Sequence, residues 1–228
     1  MGEYHAKRFP GESDSYRNAR DSLLSTERAL RKNIEEVAAL RRTLPPGGAL
    51  KQDYVFEEIS DASGAASRKF SELFEGGKES LFLYSLMFAP DDEAPCPACN
   101  SILDSLNGAA PHIRDRINFA VIAKTSPEKL RAWASGRGWN NLRLLSSQAN
   151  SYNADYFGET PEGNQIPAIN VFRKTEAGIH HFYNSELLYS PSEAGQHPRH
   201  ADMIWPLWNV FDLTPEGRGN WGPRLSYD

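Results

Sequence analysis

An α/β sheet with helices on both faces, preceded by one long helix, is the fold class that the sequence predicts. Three observations carry it. Short, nearly continuous apolar runs alternate with stretches of helical spacing, the pattern of buried strands joined by crossover helices. The run from Ser15 to Leu44 holds neither Gly nor Pro and ends on Pro45-Pro46-Gly47-Gly48, a firm helix stop. Near the C-terminus, Ala168-Ile-Asn-Val-Phe172 and Ile179-His-His-Phe-Tyr183 flank Gly178 as a hairpin would, and a helix from about Ala201 to Phe211 follows.

The elements follow in order. The first dozen residues are polar and contain Pro10-Gly11, so fraying is expected. In the helix that follows, Leu23, Leu30, Val37 and Leu44 recur every seven residues, with Ile34 on the same side and charges elsewhere. This stripe suits a helix laid on the main domain or a dimerising coiled coil. Glu27 and Arg41 at the second apolar position favour the first, and a homodimer through this helix is the alternative. The boundary is expected after Gly48, giving a helical extension (1–48) and a main domain (49–228). In that domain Asp53–Glu57 reads as a short strand, Phe70–Phe74 as a helical turn closed by Gly76-Gly77, and Ser80–Phe88 as a buried strand. Ala89–Pro95 is a loop, and a helix opens at Cys96 and runs to about Asn107, with Gly108 past its end. Ile117–Ala123 is a buried strand. Ser126 and Pro127 are N-cap and first residue of a helix reaching Gly136, and Leu142–Leu145 is a third strand.

Composition excludes several classes. A chain of 228 residues with 39% hydrophobic and 11% aromatic residues can bury a sizeable core. Twenty-five Lys and Arg against 30 Asp and Glu leave a formal charge of −5, which gives no support to nucleic-acid binding. The most apolar stretch, Leu81–Ala89, is less than half of the roughly 20 residues a spanning helix needs. The N-terminus has no apolar segment of a secretory signal, so no membrane association and a cytoplasmic location are expected.

The chemistry is expected at the chain's only two cysteines, Cys96-Pro97-Ala98-Cys99. Reducing surroundings disfavour a structural disulfide, so the pair is redox-active, metal-binding or inert. At a helix N-terminus, unpaired N–H groups and the helix dipole favour a thiolate. Cys96 is then the accessible nucleophile, and Cys99, one turn further in, resolves the mixed disulfide. The Asp91-Asp92-Glu93 run opposes thiolate formation, moderated by screening. A zinc site needs two further ligands. His112 lies at finger-like spacing but has no partner His three to five residues on, which leaves only the distant His180, His181, His197 and His200. No metal and no cofactor are expected.

The order of strand, loop, Cys-x-x-Cys helix, strand, helix, strand and then Ile166-Pro167 before a hairpin resembles the thioredoxin fold. The extra unit from Ile117 to Leu145 and the Phe70–Phe74 entry resemble its peroxiredoxin and TlpA-like branch. By that resemblance Pro167 is a cis proline facing the cysteines, Ile166 supplies substrate-facing backbone, and Pro97 and Ala98 join them in contacting substrate. A closer resemblance spans nearly the whole chain: Arg41-Arg-Thr-Leu-Pro45, Asp53-Tyr-Val-Phe56, Leu86-Met-Phe-Ala-Pro90, Cys96–Cys99 with Asp104, Gly138-Trp139, Ser146-Ser147, Asn153-Ala-Asp155, Val171-Phe172 and Leu213-Thr-Pro-Glu-Gly-Arg218. In these the chain resembles the bacterial domain-of-unknown-function 899 family, described as predicted dithiol-disulfide oxidoreductases. The family often has a His where this chain has Ser85, so no role of that His carries over. The resemblance implies thiol–disulfide exchange, with a protein or small-molecule disulfide or dithiol as partner. The alternatives are a thiol peroxidase, weakened because no Thr or Ser stands at the needed place before Cys96, and a redox-responsive binding module using the long helix and Trp205, Trp208 and Trp221.

Overall fold

The computed structural model describes residues 4–60, 64–195 and 201–227. The chain divides into two compact units, Met1–Pro45 and Pro46–Asp228. The first is built on α1 (Asp14–Arg42). Ser13 caps it, its hydroxyl accepting from the Tyr16 N–H at 3.2 Å. Arg17 is buried against Glu12, donating from Nε at 2.8 Å and from a terminal nitrogen at 2.5 Å, and it lies 3.5 Å from Asp21. The heptad residues Leu23, Leu30 and Val37, with Ile34, are exposed.

In the second unit Gly47 and Gly48, expected in the extension, extend the sheet. Gly47 N–H donates to the His181 carbonyl at 3.0 Å, and His181 N–H donates to the Gly48 carbonyl at 2.9 Å. A Cβ on Gly47 would lie 2.6 Å from the His181 oxygen, so this close approach requires glycine. The chain continues through β1 (Val55–Ser60), β2 (Gly64–Lys69), a 3-10 turn at Phe70–Leu73, β3 (Ser80–Leu86), α2 (Pro97–Arg116), β4 (Asn118–Ala123), α3 (Pro127–Arg137), β5 (Leu144–Ser146), the short α4 (Tyr152–Asp155), β6 (Ala168–Thr175), β7 (Gly178–Asn184), a 3-10 turn at Glu186–Leu188 and α5 (Pro206–Phe211). The seven strands are ordered β2-β1-β5-β4-β3-β6-β7. β3, β4 and β5 run parallel, with Leu83 opposite Ala120 and Ile122 opposite Leu145. β6 and then β7 add antiparallel on one side, and the β1–β2 hairpin adds antiparallel to β5 on the other.

A central parallel strand leading to the Cys helix, a parallel neighbour, and an antiparallel hairpin on the far side make this a thioredoxin-like fold. α3 and β5 add one further parallel strand beyond β4. Residue alternation explains the layers. On β4, Phe119, Val121 and Ala123 face the core shared with Tyr84, Leu86, Phe88, Ile102, Leu103 and Leu130. Ala120 and Ile122 face the opposite core, with Phe56, Phe70, Leu83, Tyr152 and Phe172. Phe70 and Phe172 meet edge to face there, with centroids 4.8 Å apart.

Several elements differ from expectation. β2, Gly-Ala-Ala-Ser-Arg-Lys, has no sequence signal, since it carries no apolar alternation, and is an edge strand held by its ladder to β1. α2 does not stop at Gly108 but passes through Pro111 to Arg116, because packing of Ala110 and Ile113 against the sheet outweighs the local breakers. The final helix is shorter than expected, with turns before Pro206. α3 starts as expected, Ser126 Oγ accepting from the Lys129 N–H at 3.3 Å, but it runs past the expected Gly136 and is closed by Gly138 with φ +70°. Ser126→Ala is expected to lower stability by about 1 kcal/mol, seen as a fall in Tm of about 2–4 °C. An unmoved Tm in calorimetry would show that the cap contributes nothing.

Candidate active site

β3 delivers the chain to the loop 89–95. Asp92 ties that loop, its Oδ2 accepting from the Ala89 N–H at 2.7 Å. Lys129 of α3 holds it from outside, donating to the Pro90 carbonyl at 2.9 Å and lying 5.3 Å from the Phe88 ring centroid. The loop returns to the strand at Cys96, whose N–H donates to the Met87 carbonyl at 3.1 Å. Cys96 is the N-cap of α2 and Pro97 its first residue. Proline fits there because that N–H would have no partner within the helix.

Both thiols are free, Cys96 half-buried and Cys99 buried. The Cys96 sulfur faces the Cys99 thiol and the N–H groups of Cys99 and Ala98, without closing an aligned cap hydrogen bond. These donors bring Cys96 down to about 6: the Cys99 thiol first, then the two N–H groups, opposed by partial burial. The three carboxylates of 91–93 are not among the groups acting on it. Cys99 moves the other way. Its proton is held toward Cys96, burial disfavours its charged form, and the Cys96 charge repels a second one, so it lies well above an ordinary thiol. One thiol is therefore ready as a thiolate and the other is protonated and enclosed.

Asn100 fixes this corner and was not singled out from sequence. It is 1% exposed. Its Nδ2 donates to the Cys96 carbonyl at 3.0 Å and reaches the Pro95 carbonyl at 3.5 Å, while its Oδ1 accepts from Trp133 Nε1 at 2.8 Å. Trp133 in turn packs edge to face on Phe88 at 6.0 Å. Tyr84, also not singled out, projects from β3 into the same core, and its buried hydroxyl lies against the Cys99 thiol. The available signal was a tyrosine and an asparagine inside otherwise apolar surfaces; such groups need a polar partner.

The β3–β6 register ends with Ser85 opposite Ala168, so Pro167 precedes β6 at the sheet end where Cys96 docks on Met87. The expectation of a cis proline is corrected: no peptide bond among the described residues is cis, and Pro167 follows a trans bond. The approach explains it. Gln165 bridges to Glu159 and the Ile166 N–H donates to the Gly158 carbonyl at 2.9 Å, so the chain enters β6 extended and not through a tight turn. That N–H is committed within the chain and faces no substrate; Ile166 retains its carbonyl.

The remaining candidates lie elsewhere. Asp104 accepts from Trp139 Nε1 at 2.8 Å and pairs with Arg137, clamping α2 to α3. His112 is exposed on the last turns of α2, about 20 Å along the helix from the cysteines. His181 sits in β7, its Nε2 3.0 Å from Asn170 Oδ1, with burial lowering its pKa. His197 and His200 lie outside the described residues. Among the described residues no three His, Cys, Asp or Glu side chains are grouped to hold a metal ion. Ser85 is buried beside Asn153 and Gly158, without a hydrogen-bond partner. Trp205 and Trp208 are core residues, Trp205 donating to Ser101 Oγ of α2 at 3.0 Å. Among the described residues no helix is long and apolar enough to cross a membrane.

Solved structures to which the chain is similar include peroxiredoxin Q of Xanthomonas campestris, at 9% identity over 72% of this chain and 96% of that one, with a TM-score of 0.48. They also include a reduced 2-Cys peroxiredoxin of Plasmodium vivax, at 17% identity over 72% and 93% with a TM-score of 0.46, and AhpC of Enterococcus faecalis, at 13% identity over 72% and 91% with a TM-score of 0.48. No curated protein matches the chain. The model of the family described as bacterial protein of unknown function, DUF899, matches residues 6–226, and the chain belongs to that family.

Proposed function

We propose that the protein is a thiol–disulfide oxidoreductase acting on a protein or small-molecule disulfide. The observation that carries this reading is the asymmetry of the pair, with Cys96 lowered to about 6 at a helix N-terminus and Cys99 buried beside it and protonated. A half-buried thiolate can attack a disulfide sulfur, forming a mixed disulfide on Cys96 and releasing the first thiol. Cys99 then attacks Cys96 Sγ, closes the Cys96–Cys99 bond and releases the second. Pro97 and Ala98 follow the reacting sulfur in the chain, and in this reading they and Ile166 and Pro167 would contact an extended substrate.

Equilibration against graded thiol–disulfide buffers, followed by intact native mass, tests the reading. The expected result is a cooperative loss of about two mass units with a midpoint within or below the glutathione range of about −220 to −320 mV. A mass that stays constant across the series would overturn it.

A further inference from the structure

The exchange reading leaves one step without a partner: something must stabilise Cys99 as a thiolate when it attacks. Once a substrate is bound to Cys96 as a mixed disulfide, the Cys96 sulfur is neutral and no longer draws the Cys99 proton. Burial then favours the protonated form of Cys99, opposed only by the neighbouring donors. The groups that act on Cys99 are Cys96, Tyr84 and the Met87 N–H; none is a carboxylate, an amine or an imidazole.

Tyr84 is fully buried on β3, on the face that packs against α2. Its hydroxyl has no hydrogen bond of full geometry and lies against the Cys99 thiol. A buried hydroxyl left unpaired costs stability. Phenylalanine would fill the same place without that cost, so the hydroxyl needs a reason to be there. Burial also drives the phenol well above its ordinary value, so it keeps its proton throughout the working range and has an O–H to donate to a thiolate.

Resting on that exchange reading, we propose that Tyr84 is the positioning residue that donates a hydrogen bond to the Cys99 thiolate and thereby sets the pH at which the mixed disulfide resolves. In that step Cys99 Sγ attacks Cys96 Sγ, the Cys96–Cys99 bond forms, and the bond from Cys96 to the substrate sulfur breaks. The substrate leaves as a thiolate and takes up the proton that Cys99 lost. The dithiol is thus oxidised by two electrons and the substrate disulfide is reduced to two thiols. The Met87 N–H supplies a second, fixed donor, and the tyrosine O–H can turn toward the sulfur as charge develops on it.

Stopped-flow mixing of the reduced protein with excess 5,5′-dithiobis(2-nitrobenzoate) separates the two steps. The first release of nitrothiobenzoate belongs to attack by Cys96 and the second to resolution by Cys99. In Tyr84→Phe the second phase is expected to slow about tenfold at pH 7, with its midpoint about one pH unit higher. Site-specific 3-fluorotyrosine at position 84 keeps the shape and makes a stronger donor, so its second phase is expected at lower pH. That opposite shift cannot come from damaged packing, and it serves if Tyr84→Phe does not fold. A second phase that keeps its midpoint in both variants would overturn the role of Tyr84 while leaving exchange intact. Absence of any second release from the wild-type protein would overturn the exchange reading and Tyr84's role with it.

Discussion

Replacing Cys96 with serine is expected to abolish disulfide reduction, to within the background of the assay, because the attacking thiolate is gone. Replacing Cys99 with alanine is expected to leave the first attack in place and to trap substrate on Cys96. The Cys99 variant also tests the electrostatics. The Cys99 thiol is the largest of the influences that bring Cys96 to about 6, ahead of the two backbone N–H groups. Without it the midpoint of Cys96 alkylation should move upward, toward the free-thiol value of about 8.5. In the wild-type protein the pH profile of iodoacetamide alkylation should be half-maximal near 6. Reactivity then differs from that of a free cysteine in a pH-dependent way. At pH 7 about nine-tenths of Cys96 would be thiolate, against about 3% of a free thiol. A less basic thiolate is a weaker nucleophile, however, by roughly tenfold over this range. The advantage is therefore only about threefold at pH 7 and grows to about thirtyfold at pH 5, where a free thiol is almost fully protonated. A profile that rises only above pH 8 would show that the helix N-terminus and Cys99 do not activate Cys96.

What could be read from sequence is what local chemistry decides. β3 and β4 are continuous apolar runs buried on both faces, and no other element type accommodates such short ones so readily. Cys96 as N-cap followed by proline, and Ser126 followed by Pro127, are helix starts that residue type alone specifies. What could not be read depends on partners distant in the chain. β2 is polar and small, and only its register with β1 makes it a strand. The length of α2 was underestimated because Gly108 and Pro111 are breakers locally, whereas Ala110 lies under the sheet and is fully buried. Asp104 stands on the Cys helix, but its partners Arg137 and Trp139 are on and just after α3 and make it a clamp between the two helices. The trans bond at Pro167 follows from the pairing of Gln165 and Ile166 with Glu159 and Gly158, contacts invisible in an Ile-Pro dipeptide.

Asn100→Ala is expected to damage stability and reactivity together, because one buried side chain serves both. Its amide donates to the carbonyl of Cys96, which also accepts the Asn100 backbone N–H at 3.0 Å. Its oxygen receives the indole N–H of Trp133. Alanine leaves that indole donor with only solvent to meet it and removes a polar bond at the first turn of α2. Each loss of this kind costs about 1–3 kcal/mol, so a total near 2–3 kcal/mol and a fall in Tm of about 5–10 °C are expected. The thiol should respond because the Cys96 sulfur depends on the positions of the Ala98 and Cys99 N–H groups, and a slackened first turn aims those dipoles less well. The alkylation midpoint of Cys96 is expected to rise above 6 in step with the loss of stability. Asn100→Asp separates the two effects. It keeps an acceptor for Trp133 but sets a carboxylate against the Cys96 carbonyl and near the thiolate, so it should raise the midpoint further than alanine does. If both variants lose stability while Cys96 still titrates near 6, Asn100 is a packing residue and the activated thiol is set by Cys99 and the helix N-terminus alone.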